Sequence, residues 1–354
     1  MNAFRKVIIL VLLLPNFLSA QKNYALLLDN YMQTQSKTNE FTGSVLVAKH
    51  GKIIYKKAFG MADKEWKIPN KLNSKFEIGS LTKQFTAVCI LQLAERGKLN
   101  LTDKLNKYFP DFPKADSVTI QMLLNHTSGI KDFLSISGFW RTTALPLAKD
   151  SVLAIIQKQP YDFSPGSKWN YSNSNYFILG CIIDKVSGKS YSDYVTENVI
   201  HKAGLKNTLV NRWDSVLLYR VKGYSKAIGG WKNANYTSME IPFSAGAIVS
   251  TAEDLYLWEN ALFSNRLISV SSFTKMTTPY KEHYGYGLYI DTFQHHFRIS
   301  HGGNIFGFSS SLSCFSKEDI VIVVLSNEEN TDAEKISNEL SSILFNESKR
   351  TKMK

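Results

Sequence analysis

Cysteine is scarce in this 354-residue chain: Cys89, Cys181 and Cys314 are its only three. That excludes a disulfide framework at this length. Each lies in an apolar run, where a thiol is a small buried hydrophobe rather than a nucleophile. Proline is sparse too, at nine residues, and no low-complexity tract, internal repeat or linker divides the sequence. The longest leading apolar run, Val7 to Leu14, is too short to span a bilayer. There is no His-Glu-x-x-His and no Gly-x-Ser-x-Gly elbow, which argues against a zinc protease and an α/β-hydrolase. Gly188-Lys189-Ser190 imitates the end of a phosphate loop, but its preceding glycine, Gly180, is too far away. His295 and His296 are adjacent on an expected strand and would point to opposite faces, so they are unsuited to joint metal binding. Neither a metal nor an organic cofactor is implied.

Residues 1–20 read as a secretory signal: Arg5 and Lys6, the apolar run, Pro15, and a small-residue end at Ser19-Ala20. The expectation is a secreted or periplasmic protein without a stable membrane span, with an uncleaved anchor as the alternative. The formal charge is +12, and +10 once Arg5 and Lys6 are removed. The charges are scattered apart from the Lys349, Arg350, Lys352, Lys354 tail, and no groove-reading motif appears, so no nucleic-acid partner is expected. An anionic cell-wall polymer fits the charge of an exported protein, and simple solubility explains it equally.

With 44% hydrophobic residues the chain should bury one large core or two coupled ones. A helix is expected over Tyr24–Gln33. Gly43–Ala48 and Ile53–Tyr55 flank His50-Gly51-Lys52 as a hairpin. From Thr82 to Val199 the pattern is mostly helical, broken by loops at Phe109-Pro110, Thr127–Lys131 and Phe163–Ser174. From Tyr284 it turns to strands, YGYGLYI, HHFRIS, FSSSLSCF and DIVIVVLS, before a helix over Ala333–Leu344. The expected class is α+β: an antiparallel sheet formed by both chain ends, flanked by helices, with a mainly helical middle. The sheet part would span about 21–75 and 240–345, the helical part about 80–239, and a basic tail 346–354, with the site in the crevice between the parts.

The chemistry centres on Ser80-Leu81-Thr82-Lys83. Residues three apart share a helix face, so the Lys83 amine can reach the Ser80 oxygen. First-turn N–H groups add a positive potential that favours an oxyanion. Ser-x-x-Lys also occurs at Ser19/Lys22, Ser128/Lys131 and Ser272/Lys275, but only Ser80 follows a glycine turn (Gly79) and precedes an apolar helix carrying Phe85, Val88, Cys89, Leu91 and Leu93. Two further clusters join it. Tyr171-Ser172-Asn173 is the only Tyr-x-Asn and follows a Pro165-Gly166 turn; His301-Gly302-Gly303 is placed at a strand end, where glycines let backbone approach a ligand. His126 is read as a hydrogen-bonded residue shaping its loop, and Asp254 as a helix-start residue.

With these motifs in this order, the chain resembles the serine β-lactamase and penicillin-binding protein superfamily, in particular its class C β-lactamase, DD-peptidase and esterase branch. LLNHTSGI (Leu123–Ile130), FSPGSKWNYSNSNY (Phe163–Tyr176) and SAGAIVSTAEDLYLW (Ser244–Trp258) look like supporting signatures. The resemblance implies that Ser80 attacks a carbonyl to form an acyl-enzyme while Lys83 and Tyr171 move its proton. Either could be the base, a phenol of ordinary pKa about 10 needing a nearby cation to ionise. Asn173 would hold Lys83 and donate to a substrate amide. The N–H groups of Ser80 and Asn304, beside Gly303, would form an oxyanion hole contributing on the order of 3 kcal/mol per donor. His301 stands where many β-lactamases carry lysine; a neutral imidazole holds a carboxylate less strongly, although a protonated one would serve. No acidic loop of the class A type is present, so efficient β-lactam hydrolysis is disfavoured.

The expected function is an exported serine hydrolase acting through an acyl-serine on a D-alanyl peptide or related small acyl substrate. A β-lactamase or carboxylesterase is the alternative within the fold, and a slowly deacylating sensor of penicillins or cell-wall fragments is the alternative outside enzymology. Lys131–Leu145 and Arg212–Tyr236 are the expected pocket walls.

Overall fold

The computed structural model describes residues 24–352 apart from 39 and 213. The expected leader, the Ser19/Lys22 pair and Lys354 lie outside the described residues. Six strands form the main sheet: β1 (Gly43–Lys49), β2 (Lys52–Phe59), β3 (Tyr289–Phe293), β4 (His296–Ile305), β5 (Phe308–Phe315) and β6 (Ile320–Ser326). Their spatial order is β3-β4-β5-β6-β1-β2, with every neighbouring pair antiparallel. Both chain ends therefore build one sheet, as the sequence pattern predicts.

The unbroken apolar run of β6 follows from its central place. Successive side chains point to opposite faces. Ile320, Ile322 and Val324 enter one core with Val45, Val47 and Phe315, while Val321, Val323 and Leu325 enter the other with Leu46 and Leu312. Helix α1 (24–37) covers the first face with Leu28 and Met32. Across the second face lie α2 (Thr82–Glu95), α3 (Asn173–Ser187) and α4 (Ala252–Phe263). The C-terminal α5 (Ala333–Lys352) joins α1 through Ile336, Leu340 and Leu344.

α2 is buried all round from Thr82 to Leu93, so it is a core helix rather than an amphipathic surface one. Phe85 stacks on Trp258 of α4 with centroids 3.9 Å apart, and Trp258 Nε1 donates to the amide oxygen Oε1 of Gln84 at 2.8 Å. Burying each such side chain contributes roughly 1.5–3 kcal/mol. This packing fixes the helix whose first turn begins at Ser80.

Several elements differ from expectation. Residues 284–288 are not strand: Gly287, at φ 74°, turns the chain, and pairing with β4 begins only at Tyr289. Gln294 and His295, at φ 50° and 69°, make the turn before β4, so His295 is not on a strand beside His296. His301-Gly302-Gly303 lies within β4 rather than at its end, because pairing with β5 continues to Ile305. The middle region is less helical than its mostly helical pattern suggests, with short 3-10 turns at Phe133–Ser135 and Phe139–Arg141. Backbone helix also runs through Lys352, across the expected tail. Cys89, Cys181 and Cys314 are buried free thiols, and burial pushes the Cys181 thiol up to about 12.

Candidate active site

Ser80 sits on the 3-10 turn Gly79–Leu81 that leads directly into α2, so its hydroxyl stands at the helix start. Gly79 has φ 51°, a left-handed conformation that favours glycine. A Cβ there would come within 3.0 Å of the Asn304 backbone nitrogen, and one on Gly303 would lie 2.1 Å from the Ile78 carbonyl oxygen. Ser310 on β5 reinforces the contact by donating to Ile78 O at 2.9 Å. The two glycines thus let the Ser80 turn and β4 meet backbone to backbone at Asn304.

Lys83, one turn along α2, is fully buried. Its Nζ lies 2.9 Å from Ser80 Oγ, 2.8 Å from Asn173 Oδ1 and 2.9 Å from the Ala245 carbonyl oxygen. Burial drives its pKa down to about 7, against a smaller upward pull from Asp132. A neutral amine has two hydrogens and one lone pair. The carbonyl oxygens of Asn173 and Ala245 can accept the two hydrogens, leaving the lone pair for the Ser80 hydroxyl.

Tyr171 hydrogen-bonds Ser80, and its ring lies 4.8 Å from Lys83 Nζ. Burial holds its phenol well above the ordinary value, so the resting tyrosine is protonated. Removal from water disfavours both ammonium and phenolate, so burial lowers the pKa of the lysine and keeps the tyrosine protonated.

The segment carrying Tyr171 and Asn173 is stitched to the loop before it. Asn170 N donates to His126 O at 3.1 Å, and Ser172 N donates to His126 Nδ1 at 3.3 Å. Ser128 Oγ reaches Asn175 Oδ1 at 2.5 Å, and Phe133 N donates to Ser174 Oγ at 2.9 Å. His126 is thus the loop-shaping residue expected. Asp254 likewise sits in the first turn of α4, accepting from Asn207 N and Thr208 Oγ1.

Sequence reasoning missed two residues. Asp132 accepts from Asn173 N at 3.2 Å and from Asn173 Nδ2 at 3.1 Å, which fixes the amide with Oδ1 toward Lys83. It also caps the Phe133–Ser135 turn through Leu134 N. The cap was visible locally, but its partner 41 residues away was not. Tyr284, also fully buried, donates or accepts at 3.0 Å with His301 Nε2.

Of the two forms weighed for His301, the surroundings favour the neutral one. Burial, with Lys83 nearby, holds its pKa down to about 3, while its Nδ1 lies 2.5 Å from Gly302 O. It is a neutral imidazole in an aromatic cluster, with Tyr289 and Tyr171 at 5.4 and 6.1 Å between centroids, and offers no cation for a carboxylate.

Ser80, Asn173 and Asn304 lie where two cavities meet. One, of about 470 Å³, is walled by Phe133, Leu134, Ile241, Pro242, Ile305 and Phe306. The other, of about 500 Å³, is polar and lined by Tyr171, Arg298, Asp291, Ser311 and Glu334 among others. Lys131–Leu145 supplies Phe133, Leu134 and Thr143 to the first, as expected. Arg212–Tyr236 lines neither: it places a hairpin, Tyr224–Ala227 with Gly230–Asn233, away from Ser80, and Thr237 to Gly246 takes its place.

Ser80, the buried Lys83 and the Tyr171 phenol come together in this fold as in a serine hydrolase, the class to which the family match assigns the chain. The profile of the Beta-lactamase family matches residues 28–343, and the chain belongs to that family. A penicillin-binding protein of Bacillus subtilis (strain 168) is 31% identical over 330 residues, covering 87% of this chain and 73% of its own. The penicillin binding protein from Bacillus halodurans superposes with TM-score 0.80 at 27% identity, covering 88% of this chain and 98% of that one. A D-stereospecific amidohydrolase from a Streptomyces species does so with TM-score 0.76 at 25% identity, covering 90% and 96%. Among the described residues, no helix is long and apolar enough to cross a membrane.

Proposed function

We propose that the protein is an exported hydrolase that transfers a D-configured acyl group from an amide or ester to Ser80 and then to water. The observation that carries this reading is the set of contacts of Lys83 Nζ, 2.9 Å from Ser80 Oγ with Asn173 Oδ1 and Ala245 O as its other partners; the neutral amine donates to those two and turns its lone pair to Ser80. Lys83 takes the Ser80 proton as Oγ bonds to the carbonyl carbon. The N–H groups of Ser80 and Asn304 receive the oxyanion, and Tyr171 gives its proton to the leaving atom as that atom's bond to carbon breaks, taking in its place the proton that Lys83 removed from Ser80, so both side chains end neutral. Water then attacks the acyl carbon by the reverse proton path and returns the hydroxyl to Ser80. Asp132 is a positioning residue acting through Asn173.

Support for the acyl class comes from relatives named as penicillin-binding and as a D-stereospecific amidohydrolase, together with the apolar cavity beside Asn173. A D-alanyl peptide remains a candidate acyl donor. Export rests on the leader at 1–20, and the charge of +12 suits an anionic cell-wall polymer at the surface.

The test is intact-mass analysis of wild-type protein and Ser80→Ala exposed to a fluorescent penicillin and to an N-acyl-D-amino-acid p-nitrophenyl ester. The reading expects a Ser80-dependent adduct that clears with release of acid. An adduct that persists would replace the hydrolase with a sensor, and no adduct from either reagent would remove the reading altogether.

A further inference from the structure

The two cavities at Ser80 differ in chemistry, and only one of them contains Tyr171. A general acid must lie within hydrogen-bond reach of the atom it protonates. The leaving group therefore departs into the polar cavity, and the acyl substituent occupies the apolar one walled by Phe133 and Ile241.

The polar cavity's one arginine is already spent. Arg298 donates to both carboxylate oxygens of Asp291, at 2.8 and 2.6 Å, and to Asn338 Oδ1 at 2.7 Å. Glu334 adds a second carboxylate, 3.9 Å from the same guanidinium and largely exposed. With His301 neutral, the formal charge of the lining is one negative. Ser311, opposite Gly302 in the β4–β5 register, is buried and lines the cavity. Gly302 presents no side chain to fill the space over it, the nearest neighbour of an added Cβ being Ser310 O at 3.8 Å.

From the position of Tyr171, the paired Arg298 and the carboxylate of Glu334, we infer that the leaving group is an uncharged or cationic alcohol or amine and not a carboxylate-bearing one. This inference rests on the acyl-Ser80 reading. The D-alanyl donor expected from the sequence is thereby narrowed: the acyl side is retained, and release of a free C-terminal D-amino acid is disfavoured. In acylation the Ser80 oxygen bonds to the acyl carbon, the bond from that carbon to the leaving oxygen or nitrogen breaks, and the departing alcohol or amine carries the proton supplied through Tyr171. Water later takes the acyl group as a free acid.

Three esters of N-acetyl-D-phenylalanine test this, with choline, ethylene glycol or glycolic acid as the alcohol. Acyl-enzyme mass and kcat/KM are measured for the wild-type protein and Glu334→Gln. All three esters give the same acyl-Ser80 mass. The glycolate ester is expected to be slower than the choline ester by about tenfold or more, and Glu334→Gln to narrow that ratio. A glycolate ester that equals or exceeds the choline ester, or a ratio unmoved by Glu334→Gln, overturns the leaving-group assignment while the acyl-enzyme stands. Absence of any acyl-Ser80 mass overturns the acyl-enzyme reading itself.

Discussion

The two halves of the site are held by different forces. Ser80 and Lys83 ride on a helix locked by apolar packing, with Phe85 stacked on Trp258 and residues Thr82 to Leu93 buried. Tyr171 and Asn173 sit at the mouth of α3 and are held by polar contacts: His126 to Ser172, Ser128 to Asn175, Asp132 to Asn173. Packing is non-directional and shared among many neighbours, whereas a hydrogen bond fixes one atom. Damage to the packing that holds the helix half should therefore appear first as lost stability, and damage to the contacts that hold the loop half as lost geometry in a protein that remains folded.

Removing chemistry from the helix half gives the largest effect. Ser80→Ala should lower kcat by about 10⁵-fold or more with the fold intact, read by turnover and circular dichroism. Lys83→Ala should cost about 10³- to 10⁴-fold, since the base is lost and Asn173 is left without its donor. Tyr171→Phe should cost about 10²- to 10³-fold in kcat, more for amides, whose leaving nitrogen must be protonated, than for activated p-nitrophenyl esters. Asp132→Asn should cost about 10- to 100-fold in kcat through a misplaced Asn173, with the melting temperature nearly unchanged. Phe85→Ala inverts that pattern: about 3–5 kcal/mol of stability is lost by denaturant unfolding, while the fraction that stays folded keeps most of its activity. Equal losses of stability in Asp132→Asn and Phe85→Ala would erase the distinction between the halves.

The same division explains what was legible in the sequence. Ser80 and Lys83 are three residues apart on a helix, so local geometry alone unites them. The six-stranded sheet was visible because β6 must be apolar on both faces and β1–β2 carry a hairpin turn at His50-Gly51. Tyr171 and Asn173 were found only through ordered motifs, because their distance from Lys83 is set by tertiary contacts. Asp132 was missed for that reason, its partner lying 41 residues away. Misplaced strand limits at 284–288 and at His295 share another cause: alternating apolar residues read as strand, but positive φ at Gly287, Gln294 and His295 turns the chain instead. The charge of His301 was equally hidden, since burial and contact with Tyr284 belong to the fold.

The account turns on Lys83 being a neutral base at working pH, and the pH dependence of single-turnover acylation of Ser80 by an N-acyl-D-amino-acid ester tests it most directly. Lys83 is cationic below its lowered pKa and holds no lone pair there, so the acylation rate should rise about tenfold per unit through the acid range and level off above about pH 7. A rate that is flat from pH 5 to 9 in the wild-type protein, or a Lys83→Ala variant that keeps the wild-type rate and profile, would contradict it.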